Sequence, residues 1–310
     1  MAHRGVEALA RAVREDTTHG SSWLGEAALA VLVEACREVE ASSAPQLYGA
    51  LEGLAVSLVE ARPSMPAIPS KLGRLLQSLR RVEDVAELRQ ACEGEASRII
   101  EEDQAKVGAL VEYVEALVGR VERVVTLSYS GTVSQALQAL RPREVAVAES
   151  RPGLEGVALA EELASKGFRV TLLVDAALDA VVEGCDLCLL GADAVLHDGS
   201  VVNKVGSRLL CYSAREHGRP VYVLADSTKF HVLNYLGLEL VLESGPPNQV
   251  YSGREKVEVA NPWFEVVSPR LFKGVVSEEG LLEPRDIRLT MERMRRTVEP
   301  FKSLLDPPEP

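Results

Sequence analysis

Two different spacings of apolar residues divide the chain. Up to about Val118 they recur every three or four positions, as in WLGEAALAVLVEACREV and APQLYGALEGLAVSLVEA. The same spacing continues through Val82, Val85, Leu88, Ile99, Val107, Leu110, Val111, Val114 and Leu117, with charged residues on the other face. That period is one buried stripe of a helix, so this part reads as all-helical. EARPSMPAIPSK is expected to be a loop, because proline lacks the amide hydrogen a helix interior needs. From Val121 the apolar residues gather into short runs: RVVTLS, EVAVAES, RVTLLVD, DLCLLGAD and PVYVLAD. Between them lie SGTVSQALQAL, GLEGVALAEELASKG, AALDAVVEG and VGSRLLCYSAREHGR, which carry the helical period. Apolar strands joined by helices predict a parallel sheet covered on both faces, with right-handed crossovers. The expected architecture is α/β: an N-terminal all-helical domain over residues 1–118, then a doubly wound parallel-sheet domain over 119–310. LTMERMRRTVEPFKSLL is expected to add a last helix.

Polar residues at the ends of the apolar runs carry the chemistry. The runs end at Ser128, at Glu149-Ser150-Arg151, at Asp175, at Asp193 and at Asp226-Ser227-Thr228-Lys229. In an open α/β sheet all parallel strands end on one side, and ligands bind in the crevice there. These residues, remote in sequence, should therefore meet on one rim. Ser130, Gly131 and Thr132 precede a helix and can offer amides and hydroxyls to a phosphate, or serve as ordinary caps. Arg151 can fork onto phosphate oxygens or pair with Glu149. Asn203 and Lys204 can hold an anion or simply form a turn. Asp175 reads as a helix N-cap. Asp193 is either an acid/base group or a cap for the turn at Gly199. No G-x-G-x-x-G follows the first strand and no G-x-x-x-x-G-K-[ST] occurs, so ordinary dinucleotide and P-loop sites are not supported.

Charge and cysteines narrow the field. A formal net charge of -12 argues against broad nucleic-acid or anionic-membrane binding, yet leaves room for a small phosphorylated ligand held locally. The 310 residues are 46% hydrophobic and 26% charged, as in packed globular proteins. No run is apolar enough for a transmembrane helix, and the first residues lack the apolar core of a secretory signal. Five widely spaced cysteines suggest reduced thiols in a cytoplasmic protein rather than a disulfide framework. Cys185 and Cys188 match C-x-x-C, but if both sit on one strand their thiols diverge, and no metal site is expected. No cofactor is expected either.

GADAVLHDGSVVNKVGSRLLCYSAREHGRPVYVLADSTKF resembles the signature region of the translation initiation factor 2B alpha/beta/delta family, which includes ribose-1,5-bisphosphate isomerase and methylthioribose-1-phosphate isomerase. ESRPGLEGVALAEELASKGFRVTLLVDAA and NPWFEVVSPRLFKGVVSEEGLL are similar too, and THGSSWL and RPSMPAIPS more weakly. The resemblance implies a helical domain, a Rossmann-like domain and assembly into a homodimer or larger homo-oligomer. It implies a catalytic Asp at Asp193 and a phosphate or substrate site that draws on Arg62, His19, Gly20 and Lys229. The isomerases' Cys, in a T-H-C-H-S type stretch, falls in TLSYS, where Ser128 replaces it. TLSYS approaches the T-H-S/A-Y-S of the regulatory subunits, and His19 stands where the isomerases have an Arg.

The residues and the resemblance together support two functional expectations. The preferred one is a factor-2B-like protein that binds a phosphorylated sugar or nucleotide monophosphate on the rim, with a translation initiation factor as a further partner. The alternative is an aldose–ketose isomerase of a sugar phosphate, with Asp193 and Ser128 as catalytic groups. A thiol titrates near neutrality with modest help and a serine hydroxyl does not, which weighs against the alternative.

Overall fold

The structure is a computed structural model and describes residues 4–16 and 20–304. Helices α1 (Arg4–Glu15), α2 (Ser21–Glu38), α3 (Ala44–Ala61), α4 (Ala67–Leu79) and α5 (Val85–Val118) come first. After them come β1 (Arg123–Leu127), α6 (Gly131–Leu140), β2 (Glu144–Ala148), α7 (Glu155–Ser165), β3 (Arg169–Leu173), α8 (Asp179–Val182) and β4 (Leu187–Gly191). The hairpin β5 (Ala194–Val195) and β6 (Val201–Lys204) leads into α9 (Ser207–Glu216), β7 (Val221–Leu224) and α10 (Val232–Tyr235). Strands β8 (Phe264–Val267), β9 (Val275–Ser277) and β10 (Gly280–Leu282) precede α11 (Pro284–Met294). The fold is thus a helical N-terminal part succeeded by a mostly parallel sheet.

One compact unit takes in the chain up to Ala105, Thr228–Leu240 and the chain from Arg288. Its core is the apolar stripe read from the sequence: Leu24, Leu29, Leu47, Leu51, Leu72 and Leu75 are all buried. The Ser43 hydroxyl accepts the Gln46 amide and starts α3. The proline-rich stretch is not wholly a loop. Pro69 lies in the first turn of α4, where an amide has no helical partner, so the helix begins at Ala67. Inside the unit Lys71 Nζ meets Asp103 Oδ2 at 2.5 Å, a buried ion pair. The last segment is less regular than its spacing predicts. It is α-helical only to Met294, and Arg295–Leu304 continues as a 3-10 helix that contains Pro300. A Cβ on Gly73 would lie 1.6 Å from the Thr297 carbonyl oxygen, so α4 meets this stretch backbone to backbone.

The second unit comprises Lys106–Ser227 and Val241–Ile287. Its seven-stranded sheet has the order β10-β9-β7-β4-β1-β2-β3, with only β10 antiparallel to its neighbour. Val124, Val145, Val147, Leu187 and Leu189 turn to one face and pack with Leu110 and Val114 of α5, Val133 and Leu137 of α6, and Leu159 and Leu163 of α7. The period of two sends the next residues to the opposite face. A separate antiparallel sheet, β5-β6-β8, extends from the end of β4.

Two local expectations change. RVTLLVD reads as a buried strand, but β3 ends the sheet and Leu172 is 46% exposed. Only the 3-10 turn Asp175–Ala177 and the single turn of α8 come between it and β4, too little to cover its outer face. The Cys185 and Cys188 sulfurs do not diverge: they lie 3.9 Å apart. Cys185 precedes β4, so strand alternation does not apply to it. The hydrogen bond between the thiols draws Cys185 down against the effect of burial, and together with burial pushes Cys188 well up.

Candidate functional site

The sheet order locates a crevice. From β1 the chain adds β2 and β3 on one side, then crosses to place β4, β7 and β9 on the other. Chain direction across the sheet reverses between β1 and β4, the position where open α/β sheets hold ligands. There Ser128 follows the last residue of β1, and β4 ends at Gly191. A Cβ on Gly191 would lie 2.6 Å from Ser130 Oγ, so the glycine lets the two strand ends close up.

The turns on this rim adopt uncommon backbone. Ser128, Ser150 and Leu154 have φ of 60°, 63° and 60°, and with Arg141 they are the non-glycine residues of positive φ among the described residues. Such conformations are strained for residues with a Cβ and concentrate at functional sites. Hydrogen bonds hold them. The Ser128 amide donates to Ser150 Oγ at 2.7 Å. Ser150 and Arg151 donate their amides to the two carboxylate oxygens of Asp175 at 2.8 and 2.7 Å. Asp175 is therefore a clamp that joins the ends of β2 and β3, not the expected N-cap, and Val174 takes the cap position.

The residues anticipated for anion binding already hold protein partners. Ser130 N-caps α6, its Oγ accepting from the Val133 amide at 3.3 Å, and Gly131 and Thr132 form the first turn behind it. The exposed Arg151 side chain donates to the Gln249 carbonyl at 3.4 Å. Asp193 precedes the β5–β6 pair, and its amide donates to the Val202 carbonyl at 2.8 Å. Continuing that register sets Asp193 opposite Asn203. The turn at Gly199 is capped by Asp198, which accepts from the Ser200 amide and hydroxyl at 2.9 Å, so Asp193 is not needed for that task. Asn203 donates its side-chain amide to Ser207 Oγ at 2.9 Å. Lys204 is buried and pairs with Glu155 at the start of α7, which ties β6 to the loop after β2. Asp193, Asn203, Lys204 and Arg151 thus belong to one rim.

Other anticipated residues lie in the helical unit. Arg62 is buried and donates to the carbonyls of Val13 and Asp16 at the end of α1, at 3.3 and 2.8 Å. Gly20 is the N-cap residue of α2. Lys229 is buried at the end of a 3-10 turn. His19 lies outside the described residues.

Sequence reasoning missed two acidic residues. Glu265 Oε1 accepts the Gly206 and Arg208 amides at 2.9 Å, so a carboxylate of the protein already serves the N-terminus of α9. Glu155 reads in sequence as an exposed residue of a helical pattern; its place in the first turn, directly after R-P-G-L, was the available signal.

The sequence model of the initiation factor 2 subunit family matches residues 17–284. A ribose 1,5-bisphosphate isomerase of Haloferax volcanii is 29% identical over 318 aligned residues, which cover 96% of each chain. A methylthioribose-1-phosphate isomerase of Pelotomaculum thermopropionicum is 29% identical over 316, covering 94% of this chain and 87% of the relative. Among solved structures, the translation initiation factor eIF-2B of Pyrococcus horikoshii OT3 superposes with a TM-score of 0.76 at 25% identity, covering 92% of this chain and 99% of that one. Among the described residues no helix is long and apolar enough to cross a membrane.

Proposed function

The chain belongs to the initiation factor 2 subunit family, and from that premise we propose that it interconverts the aldose and ketose forms of a phosphorylated pentose at the β1/β4 rim. The observation that carries this reading is the gathering of polar residues where the sheet order reverses: Ser128 follows β1 on strained backbone, and Asp193, Asn203 and Lys204 come with the β5–β6 pair after β4, which Lys204 ties through Glu155 to the loop after β2. Relatives named as isomerases of ribose 1,5-bisphosphate and methylthioribose 1-phosphate, aligned over nearly the whole chain, support it. They weigh more than the Cys-to-Ser change, which alone favoured binding without turnover.

Isomerisation moves hydrogen between adjacent carbons of the opened sugar and a proton between their oxygens, with no net oxidation. It requires an acid/base or polarising group on each side of the carbon pair. Asp193 takes one side. The Ser128 hydroxyl takes the other as a hydrogen-bonding group, being too weak an acid to ionise unaided. Gly131 and Thr132, opening α6, supply amides at a helix N-terminus to a phosphate. Arg151 adds a guanidinium, and Asn203 a side-chain amide for a sugar hydroxyl. The same resemblance supports a homodimer or larger homo-oligomer, which a mass measurement in solution checks, and the five free cysteines support a cytoplasmic location.

The test is turnover of ribose 1,5-bisphosphate and methylthioribose 1-phosphate by the purified protein. Asp193→Asn should lower the rate by roughly a hundredfold or more, the usual weight of an acid/base group. A second reading rests on Ser128: a factor-like protein that holds the sugar phosphate without converting it and engages a translation initiation factor. Thermal stabilisation by these compounds with no turnover would favour that reading over the isomerase.

A further inference from the structure

The rim contains an ion pair that a phosphate site has no evident use for. Lys204 Nζ lies 2.7 Å from Glu155 Oε1, with side-chain exposures of 6% and 18%. Glu155 Oε2 is buried with no hydrogen-bond partner among the described residues. The carboxylate therefore neutralises the lysine while satisfying only half of its own hydrogen-bonding capacity. A buried acceptor left unmet is unfavourable, so the arrangement is not explained as an optimised structural bridge. Its position is specific. Glu155 opens α7, where the helix end favours an anion. Gly153 lets the carboxylate fold back over the loop, since a Cβ there would lie 2.4 Å from Oε1.

We propose that Glu155 is an internal counter-ion that occupies the phosphate position at Lys204 and thereby screens the rim against free inorganic phosphate. This deepens the sugar-phosphate reading above and rests on it. A dianion that enters beside both charges meets the carboxylate as a like charge, a juxtaposition costly in a desolvated site. It binds only if Glu155 swings out. Inorganic phosphate gains contacts at one point and does not offset that displacement. A phosphorylated pentose also engages Asn203, Asp193 and the α6 end, and does. Glu155 is thus a specificity-determining residue for the ligand's second point of attachment.

Calorimetric titration with inorganic phosphate tests this directly. Glu155→Gln keeps the shape and a hydrogen-bonding oxygen but removes the charge. It should bind inorganic phosphate roughly tenfold more tightly than the wild type, the direction expected when a like charge leaves. Should that variant not yield folded protein, Gly153→Ala displaces the carboxylate without deleting it and should move affinity the same way. Equal or weaker phosphate binding by the variant, or no binding by either protein, overturns the counter-ion role. Turnover of ribose 1,5-bisphosphate by the wild type is measured in parallel. Its absence counts against the isomerase reading and leaves the phosphate comparison to judge Glu155 alone.

Discussion

Asp175 shows how a residue with no evident reactive role can govern a site. Its two oxygens accept the Ser150 and Arg151 amides, and Ser150 Oγ in turn accepts the Ser128 amide. Asp175→Asn replaces one acceptor with an NH2 that faces an N–H donor. The expected loss is about 1–3 kcal/mol of stability, the scale of a charged hydrogen bond with its partner left unmet. Urea unfolding of the variant measures it, and a midpoint equal to the wild type would refute the clamp. Individual site residues were legible in sequence to the extent that they break an apolar run. Asp193, Lys204 and Arg151 do so; Glu155 sits inside an ordinary amphipathic pattern and does not. The left-handed turns at Ser128, Ser150 and Leu154 were invisible for a similar reason, because none of these residues is a glycine whose presence would announce positive φ.

At the scale of elements, close backbone approach positions the rim. A Cβ on Gly156 would lie 1.8 Å from the Ala148 carbonyl oxygen. The start of α7 therefore rests on the end of β2, and the Gly156 amide donates to the Glu149 carbonyl at 3.1 Å. The atom in the way is backbone, which yields poorly. Gly156→Ala is expected to cost at least about 2 kcal/mol and to push α7, with Glu155, off the strand end. Thermal melting reports the first effect, and weakened sugar-phosphate binding the second; a melt unchanged from wild type would remove the argument. The elements β1, β2, β4, β7, α6, α7 and α9 follow their sequence periods closely. The strands β5, β6 and β8 were not anticipated, since runs of two to four residues carry too little periodicity to separate from a turn.

Over the whole molecule, acid stability depends on a buried ring in the helical unit. Burial pushes His231 down to about 4 from its ordinary value near 6.5, although the Pro63 carbonyl, 2.9 Å from Nε2, opposes the shift. Nδ1 accepts the Asn234 amide that begins α10, so a proton there would meet a donor. Between pH 6.5 and about 4 the unfolded chain binds this proton and the folded chain does not. Stability is therefore full above 6.5, falls as the pH drops through that window, and stops falling on this account below about 4. The loss is about 3 kcal/mol at most. Chemical unfolding at about pH 7.5 and about pH 5, on either side of the ordinary histidine value, should show a smaller acid penalty for His231→Gln than for the wild type. Equal penalties would exclude His231 as the cause. The sequence by itself determined the helical part, the parallel sheet and the family, because burial imposes its period on every long element and the polar strand ends interrupt it. It also marked Asp193 and Lys204. Only the tertiary structure decided which partners distant residues meet: that Lys204 faces Glu155, that Asp198 accepts from Ser200 at the turn by Gly199, and that two cysteines thought divergent share a hydrogen bond. Such pairings join residues from separate elements, and no local spacing encodes which distant side chain a fold will bring within about 3 Å.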